Sequence, residues 1–173
     1  MKQKIPVTQD TLYEYLQAHD VKLVRLADMI GCTDDVVTSC FAHRKDKHGM
    51  PRQFTPDNLA KLSLALPRLA NDLRNCLLHY GSPLTYTNKH GREYDPGQVQ
   101  PIKSLGRYMN ITGLLQRLLG WSVNKKCSVI SRPNAINYGN ITKSDVMTIN
   151  NEILAVAGVL ESYQLVIDVD RSE

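Results

Sequence analysis

Apolar residues recur at intervals of three or four positions along most of this chain, the period of helices that bury one face. Leu12, Tyr13 and Leu16 form such a face near the start. In the first half the pattern predicts helices over residues 11–18, 23–30, 34–43, 56–66 and 68–80. Pro67 separates the last two, because proline lacks the amide hydrogen that a helix interior uses. The first half is therefore expected to be a helical bundle.

Turn and cap signals mark where these helices begin and end. Gly31 follows the second apolar segment, and glycine is the residue that most often terminates a helix. Thr33 precedes two aspartates, a combination of cap and acidic first turn that is typical of a helix N-terminus. The run Thr-Pro-Asp at 55–57 places proline at the first position of the next helix, where it is favoured. A tight turn between two helices is thus predicted at residues 31–33.

The second half of the chain repeats the first. At an offset of 89 residues "LVRLADMIGCT" faces "TGLLQRLLGWS", which aligns Gly31 with Gly120. At an offset of 87 "FTPDNLAKLSLAL" faces "ITKSDVMTINNEI". Leucines of the first copy then align with apolar residues of the second: Leu59, Leu62, Leu66, Leu69 and Leu73 with Val146, Ile149, Ile153, Val156 and Leu160. Because the glycine aligns as well as the apolar period, we interpret the chain as a duplicated helical unit.

The segment between the copies is polar and rich in turn-forming residues. "TYTNKHGREY" predicts a small β-hairpin around residues 88–91 with Tyr86 and Tyr94 on its arms, and a flexible linker is the alternative. Alternation in the C-terminal "YQLVIDVD" predicts a strand that pairs with this hairpin. The predicted division is a first helical domain over 1–81, a hairpin or linker over 82–100, and a second helical domain with an acidic tail over 101–173.

Charge is unevenly distributed along the chain. The net charge of +4 combines an acidic end, with five acidic residues and one basic residue from Asn151 onward, and a basic body. Residues 1–150 hold 20 Lys and Arg against 12 Asp and Glu, a net charge of +8. A basic body of this kind fits a nucleic-acid partner.

Other features of the composition favour a cytoplasmic protein. The N-terminal "MKQKIPVTQDTLYEYL" lacks the apolar run of a signal peptide, and no segment approaches the roughly 20 apolar residues of a membrane helix. The four cysteines form no CxxC pair, which favours reduced thiols: Cys32, Cys40, Cys76 and Cys127.

Residues 23–41, "LVRLADMIGCTDDVVTSCF", resemble the helix-turn-helix of the lambda-repressor-like (Cro/C1, or XRE-type) DNA-binding family. Leu26-Ala27, the turn glycine, the Thr33 cap and Val37 fall at that family's spacing, and "FTPDNLAKLSLAL" resembles its fourth helix. The resemblance covers about residues 11–80 and, in degenerate form, 102–165. It implies an all-α fold of two tandem lambda-repressor-like helix-turn-helix bundles with a small β-hairpin or linker between them.

The resemblance also implies a function and the residues that perform it. The chain would be a bacterial-type transcriptional regulator that binds double-stranded DNA as a covalent pseudo-dimer, itself a monomer or a homodimer. The first copy would use Thr33, Thr38 and Ser39 on its third helix, and Arg44, Lys45, Lys47 and Arg52 in the loop that follows. The second copy would use Ser122, Asn124, Lys125, Lys126, Ser128 and Arg132, with Asn124 suited to adenine and the lysines to guanine or phosphate.

Several positions depart from the family's pattern. Asp34 and Asp35 would repel phosphates, and their other role is to stabilise the helix N-terminus. Leu23 stands where the family usually has Gln. In the second copy larger or polar residues replace the packing residues of the first, namely Gln116, Trp121 and Lys126. These departures support a second hypothesis, a protein-interaction or assembly module that kept the fold without binding DNA.

No motif indicates an enzyme, a cofactor or a metal. Cys40, His43 and His48 lack the further paired ligands that a structural zinc site requires. The sequence has no GxSxG, P-loop, HExxH or dinucleotide-binding motif. The expected partners are therefore double-stranded DNA or, on the second hypothesis, another protein.

Overall fold

The computed structural model describes residues 3–78, 86–87, 93–94, 105–121 and 143–166. Most of these residues are helical, as predicted, and short strands are added to the helices. The elements in chain order are β1 (Ile5–Val7), α1 (Gln9–Ala18), α2 (Val24–Ile30), α3 (Asp34–Phe41), α4 (Pro56–Arg74), β2 (Tyr86–Thr87), β3 (Glu93–Tyr94), α5 (Ile111–Leu119), α6 (Lys143–Ser162) and β4 (Tyr163–Leu165). The chain forms two compact units, Met1–Asp72 with Val156–Glu173 and Leu73–Ala155.

The first unit surrounds a core of leucines and aromatic rings. The apolar faces of its helices supply fully buried side chains: Leu12, Leu16, Leu26, Leu62 and Leu66. Phe41 at the end of α3 stacks on Tyr13 with ring centroids 5.3 Å apart and meets Phe54 edge-on at 4.8 Å. The aromatic cluster therefore joins α1 and α3 to the segment that leads into α4.

Helix α4 runs without interruption through Pro67, so the prediction of two helices separated at this residue is wrong. Leu62 and Leu66 before the proline, and Leu69 and Leu73 after it, are completely buried. These four leucines share one face of α4, so packing holds both halves of the helix in line. The burial outweighs the local cost of the missing amide hydrogen.

Strand β4 pairs in parallel with β1, which corrects the prediction that the C-terminal strand joins the hairpin. The register places Ile5 opposite Tyr163 and Val7 opposite Leu165. Beyond the strand, the Val166 N–H donates to the Val7 carbonyl at 2.9 Å. On the other edge of β4, the Leu165 N–H donates to Ser63 Oγ of α4 at 3.0 Å. The first unit therefore contains residues from both ends of the chain.

The predicted hairpin forms between β2 and β3. These strands are antiparallel, with Tyr86 opposite Tyr94 and Thr87 opposite Glu93. The hairpin prediction is confirmed, including the placement of both tyrosines on its arms.

The second unit is held by buried apolar residues and by polar contacts to its helices. Leu105, Met109, Leu114 and Ile153 are almost completely buried. The side-chain amide of Asn150 accepts from the Leu78 N–H at 2.7 Å and donates to the Leu78 carbonyl at 2.8 Å. Within the described residues, no helix has the length and apolar character needed to cross a bilayer.

Candidate nucleic-acid interface

The turn after α2 is closed by backbone hydrogen bonds around Gly31. This residue adopts φ +73° and ψ +26°, in the left-handed region. The Gly31 N–H donates to the Asp28 carbonyl at 3.3 Å, and the Cys32 N–H donates to the Ala27 carbonyl at 3.0 Å. This pair of bonds defines the Schellman motif, which needs a residue tolerant of positive φ at the glycine position. The glycine signal in the sequence therefore predicted the turn correctly.

Helix α3 begins at a capped N-terminus directly after this turn. The Thr33 hydroxyl accepts from the Val36 N–H at 3.2 Å. Between α2 and α3, small and apolar side chains are buried: Leu26, Ala27, Val37 and Cys40. The helix pair thus has the tight turn, the capped second helix and the apolar seam that the motif predicts.

The start of α3 faces solvent. Thr33, Asp34, Asp35 and Val36 are exposed and Thr38 is half-buried. Ser39, a predicted contact residue, is only 4 % exposed, so its side chain lies on the buried side of α3 and not on the exposed surface. The Arg44 N–H donates to the Ser39 carbonyl at 3.0 Å and the His43 N–H donates to the Cys40 carbonyl at 3.3 Å, and these two bonds close the C-terminal end of α3. Val36, which the sequence analysis did not select, lies on the exposed surface instead.

The loop between α3 and α4 contains an ordered hairpin-like ribbon, which we call the basic ribbon (residues 44–52). Lys45 and Pro51 form an antiparallel bridge, and the Arg52 N–H donates to the Arg44 carbonyl at 2.9 Å. Asp46 organises the tip, because its Oδ1 accepts from the backbone N–H groups of His48 at 2.8 Å and Met50 at 3.0 Å. Gly49 at φ +78° completes the turn. Four basic residues are therefore carried on a defined backbone.

The cations of the basic ribbon are directed to solvent. Arg44, Lys45, Lys47 and Arg52 are exposed. Arg44 Nη1 lies 4.0 Å from Asp35 Oδ1, and both side chains are largely exposed, so this ion pair contributes little. Within the described residues, no ion pair joins Lys45, Lys47 or Arg52 to a carboxylate. These cations are available to an anionic partner.

A polar cluster fixes the chain where it leaves α3 for the basic ribbon. His43 Nε2 lies 2.8 Å from Asp10 Oδ1 and 3.3 Å from Gln9 Nε2. Gln9, which is buried, also donates to the Cys40 carbonyl at 3.1 Å. His43 adopts φ +50°, a conformation uncommon for a residue with a Cβ atom. The start of α1 thus holds the end of α3 in place, a contact between distant residues that no local pattern signals.

The buried thiol of Cys40 lies at the base of the basic ribbon. Burial raises the pKa of Cys40 above its usual value, the positive charge of Arg52 opposes this effect, and Cys32 adds to it. Cys32 and Cys40 are free thiols. Among the residues that the structure describes, no three His, Cys, Asp or Glu side chains gather to form a metal site.

The predicted second copy has a similar helix end but a different buried face. Gly120 follows α5 at φ +65° and ψ +25°, close to the values at Gly31. However, Gln116 is exposed where its counterpart Ala27 is buried, and Trp121 is buried. The predicted contact residues of this copy lie outside the described residues: Ser122, Asn124, Lys125, Lys126, Ser128 and Arg132. Their roles stay predictions.

Comparison with protein-family models, with curated proteins and with solved structures finds no match to this chain. The assignment of a function therefore depends on the residues and the geometry described above.

Proposed function

We propose that the chain is a helix-turn-helix DNA-binding protein, a sequence-specific or semi-specific transcriptional regulator that acts as a covalent pseudo-dimer. The observation that carries this proposal is an exposed, capped start of α3 together with an ordered basic ribbon after its end, with Arg44 of the ribbon 4.0 Å from Asp35 in the first turn of the helix. Thr33 caps α3, and four exposed cations follow on residues 44–52. A helix start facing bases, next to cations facing phosphates, is the usual division of labour in DNA recognition.

In this mechanism the basic ribbon supplies most of the affinity. Each cation that neutralises a phosphate releases a condensed counterion, so binding weakens as salt rises. Asp46 does not cancel this attraction, because the four basic residues of the ribbon outnumber its single carboxylate and leave a net charge of +3. The first turn of α3 would then enter the major groove, with Thr33, Val36 and Thr38 near base edges.

The second copy would contribute the other half of the interface. In this proposal Lys125, Lys126 and Arg132 bind phosphates. Asn124 reads a base, because its side-chain amide can both donate to and accept from adenine. Replacing Asn124 by Ala is expected to relax sequence preference, whereas replacing both lysines is expected to weaken binding to every sequence.

Fluorescence anisotropy with a labelled random-sequence duplex tests the proposal. We expect micromolar binding at about 50 mM salt that falls steeply by about 200 mM. The double variant Lys45→Ala/Lys47→Ala should bind more weakly and reduce the slope of log affinity against log salt by about two.

The matched control removes two exposed lysines outside the basic ribbon. Lys22→Ala/Lys61→Ala changes the net charge equally, and it should leave the slope nearly unchanged. No binding of the unaltered protein at low salt would contradict the proposal. If both double variants reduce the slope of log affinity against log salt equally, the basic ribbon does not have the role assigned to it.

A protein-interaction module is the second candidate function, and the exposed surface of α3 favours it. Asp34, Asp35 and Val36 are all exposed at the start of this helix. Two carboxylates repel phosphates, but together with an apolar side chain they suit a basic protein surface. If the duplex is not bound, a pull-down that loses its partner in the Asp34→Asn/Asp35→Asn variant would support this candidate.

A further inference from the structure

The basic ribbon carries a large apolar side chain that phosphate binding does not require. Met50 is 62 % exposed. Its carbonyl accepts from the Asp46 N–H at 2.8 Å and its N–H donates to Asp46 Oδ1 at 3.0 Å, so its backbone is fixed. The next residue is Pro51, which forms the bridge to Lys45. The ordered backbone of the ribbon thus presents the thioether to solvent.

The surroundings of Met50 restrict the kind of partner that it suits. Its backbone is held by Asp46 at the tip of the ribbon, whose basic residues are exposed. A partner for this surface must combine a dense negative charge with an apolar area small enough for one side chain. The minor groove of duplex DNA has both, since phosphates border it and apolar side chains can insert between its base steps.

We propose that the tip of the basic ribbon enters the minor groove and places Met50 against a base step. This inference rests on the DNA binding proposed above and adds a second groove to it. In minor-groove proteins, apolar side chains such as Met contact base steps while Arg and Lys bind the flanking phosphates. Here Lys45, Lys47 and Arg52 are the phosphate ligands, and Met50 is the residue that contacts the bases.

The test compares methionines of similar exposure. Met50→Ala is expected to lower duplex affinity about tenfold with an unchanged salt slope, because an apolar contact is lost and no charge is removed. Met50→Leu should retain most of the affinity. Met147→Ala is the control, since Met147 is 56 % exposed but lies on α6. Thermal unfolding of each variant verifies that the fold is intact.

A competition experiment locates the contact on the duplex. We expect netropsin, which occupies the minor groove, to weaken binding of the unaltered protein about tenfold and to have less effect on Met50→Ala. DNA binding that is insensitive to both Met50→Ala and netropsin would overturn the inference and leave the proposed function standing. A loss with Met50→Ala but no effect of netropsin would overturn the minor-groove placement.

Two further outcomes would also overturn the inference. Absence of any duplex binding would contradict the inference and the proposed function together. If polyglutamate displaces the labelled duplex as well as unlabelled duplex DNA does at equal charge, the basic ribbon binds acidic polymers by charge alone.

Discussion

Gly31 and Gly158 are both free of steric neighbours, yet they differ in backbone conformation. A Cβ atom built on either glycine would meet nothing within 4 Å. Gly31 has φ +73°, where a residue with a Cβ is strained, whereas Gly158 lies inside α6. Gly31→Ala should therefore lower the free energy of unfolding by about 1 kcal/mol. Gly158→Ala should raise it by about 0.5 kcal/mol, because alanine is the better helix former.

Urea unfolding of the two variants measures this difference, and Gly120→Ala serves as a second positive-φ case at φ +65°. Equal effects of Gly31→Ala and Gly158→Ala would contradict the role assigned to the left-handed turn. A loss of stability in Gly31→Ala but not in Gly120→Ala would indicate that the turn after α5 is less constrained than the turn after α2.

Cys40 should make the stability depend on pH in the alkaline range. Burial raises the pKa of its thiol in the folded state, so the folded protein retains this proton when the unfolded chain has lost it. The stabilising contribution is complete below the usual pKa of a thiol and is lost as pH rises through the raised pKa. Between about pH 7 and about pH 10, the unfolding free energy should fall more steeply in the unaltered protein than in Cys40→Ala. If urea titrations show the same dependence of the unfolding free energy on pH in both proteins, this prediction is wrong.

At the level of elements, Pro67 is the residue whose replacement should stabilise α4. Proline in a helix interior costs up to about 3 kcal/mol relative to alanine, and its ring crowds the carbonyl four residues earlier, here that of Ser63. Because Pro67 is half-buried and loses some packing, we expect Pro67→Ala to raise the unfolding free energy by about 1 kcal/mol or more. Leu64→Ala, at an exposed position of the same helix, should change it by less than about 0.5 kcal/mol.

Thermal and urea unfolding both measure the Pro67 effect. A lower stability of Pro67→Ala would mean that the ring contributes more through packing than it costs the backbone. In that case the continuous helix depends on the proline.

Elements with local signals could be predicted from the sequence. Gly31 and Thr33 mark the end of α2 and the start of α3, because turns and caps depend on residues only a few positions apart. The predicted helix break at Pro67 was wrong, because the cost of the missing backbone hydrogen bond is offset by the burial of leucines on the same helix. That burial depends on the rest of the fold. Strand β1 has three residues with a proline in the middle, too short for a periodic pattern.

The candidate site was predictable in part: the positions of its cations could be read from the sequence, and the shape of the loop that carries them could not. The exposed cations of residues 44–52 follow from their position after the third helix. The shape of the basic ribbon does not, because it depends on Asp46 accepting two backbone N–H groups. Likewise, no local pattern signals that Ser39 is buried or that Met50 is 62 % exposed. These features need the folded loop rather than the spacing of residues.

At the level of the whole molecule, the pairing of β1 with β4 joins segments that are far apart in sequence. Ile5 is paired with Tyr163, so no local pattern could indicate the contact. Lys4 Nζ donates to the Glu161 carbonyl at 2.6 Å, and Tyr15 meets Tyr163 edge-on at 5.8 Å. The first unit therefore depends on residues from the end of the chain, although α2, the turn at Gly31 and α3 lie entirely within its N-terminal part.

This dependence predicts the effect of two truncations. Ending the chain after Ser162 removes β4, the buried Leu165 and the bonds from Leu165 to Ser63 and from Val166 to Val7. Burial of one leucine contributes about 2 kcal/mol and each hydrogen bond about 1 kcal/mol, so the loss should be about 3 kcal/mol or more. The matched control ends after Val166 and keeps β4 with all of these contacts.

Urea unfolding followed by the near-ultraviolet signal of tyrosine compares the two truncated chains with the full one. We expect the chain that ends after Ser162 to unfold at a lower urea concentration than the full protein. Its transition should also be broader, because the first unit loses stability and the second does not. The chain that ends after Val166 should unfold close to the full protein. If both truncations have the same effect, the stability comes from residues 167–173 and not from the pairing of β1 with β4. If neither has an effect, the helices of the first unit are sufficient without the parallel strand pair.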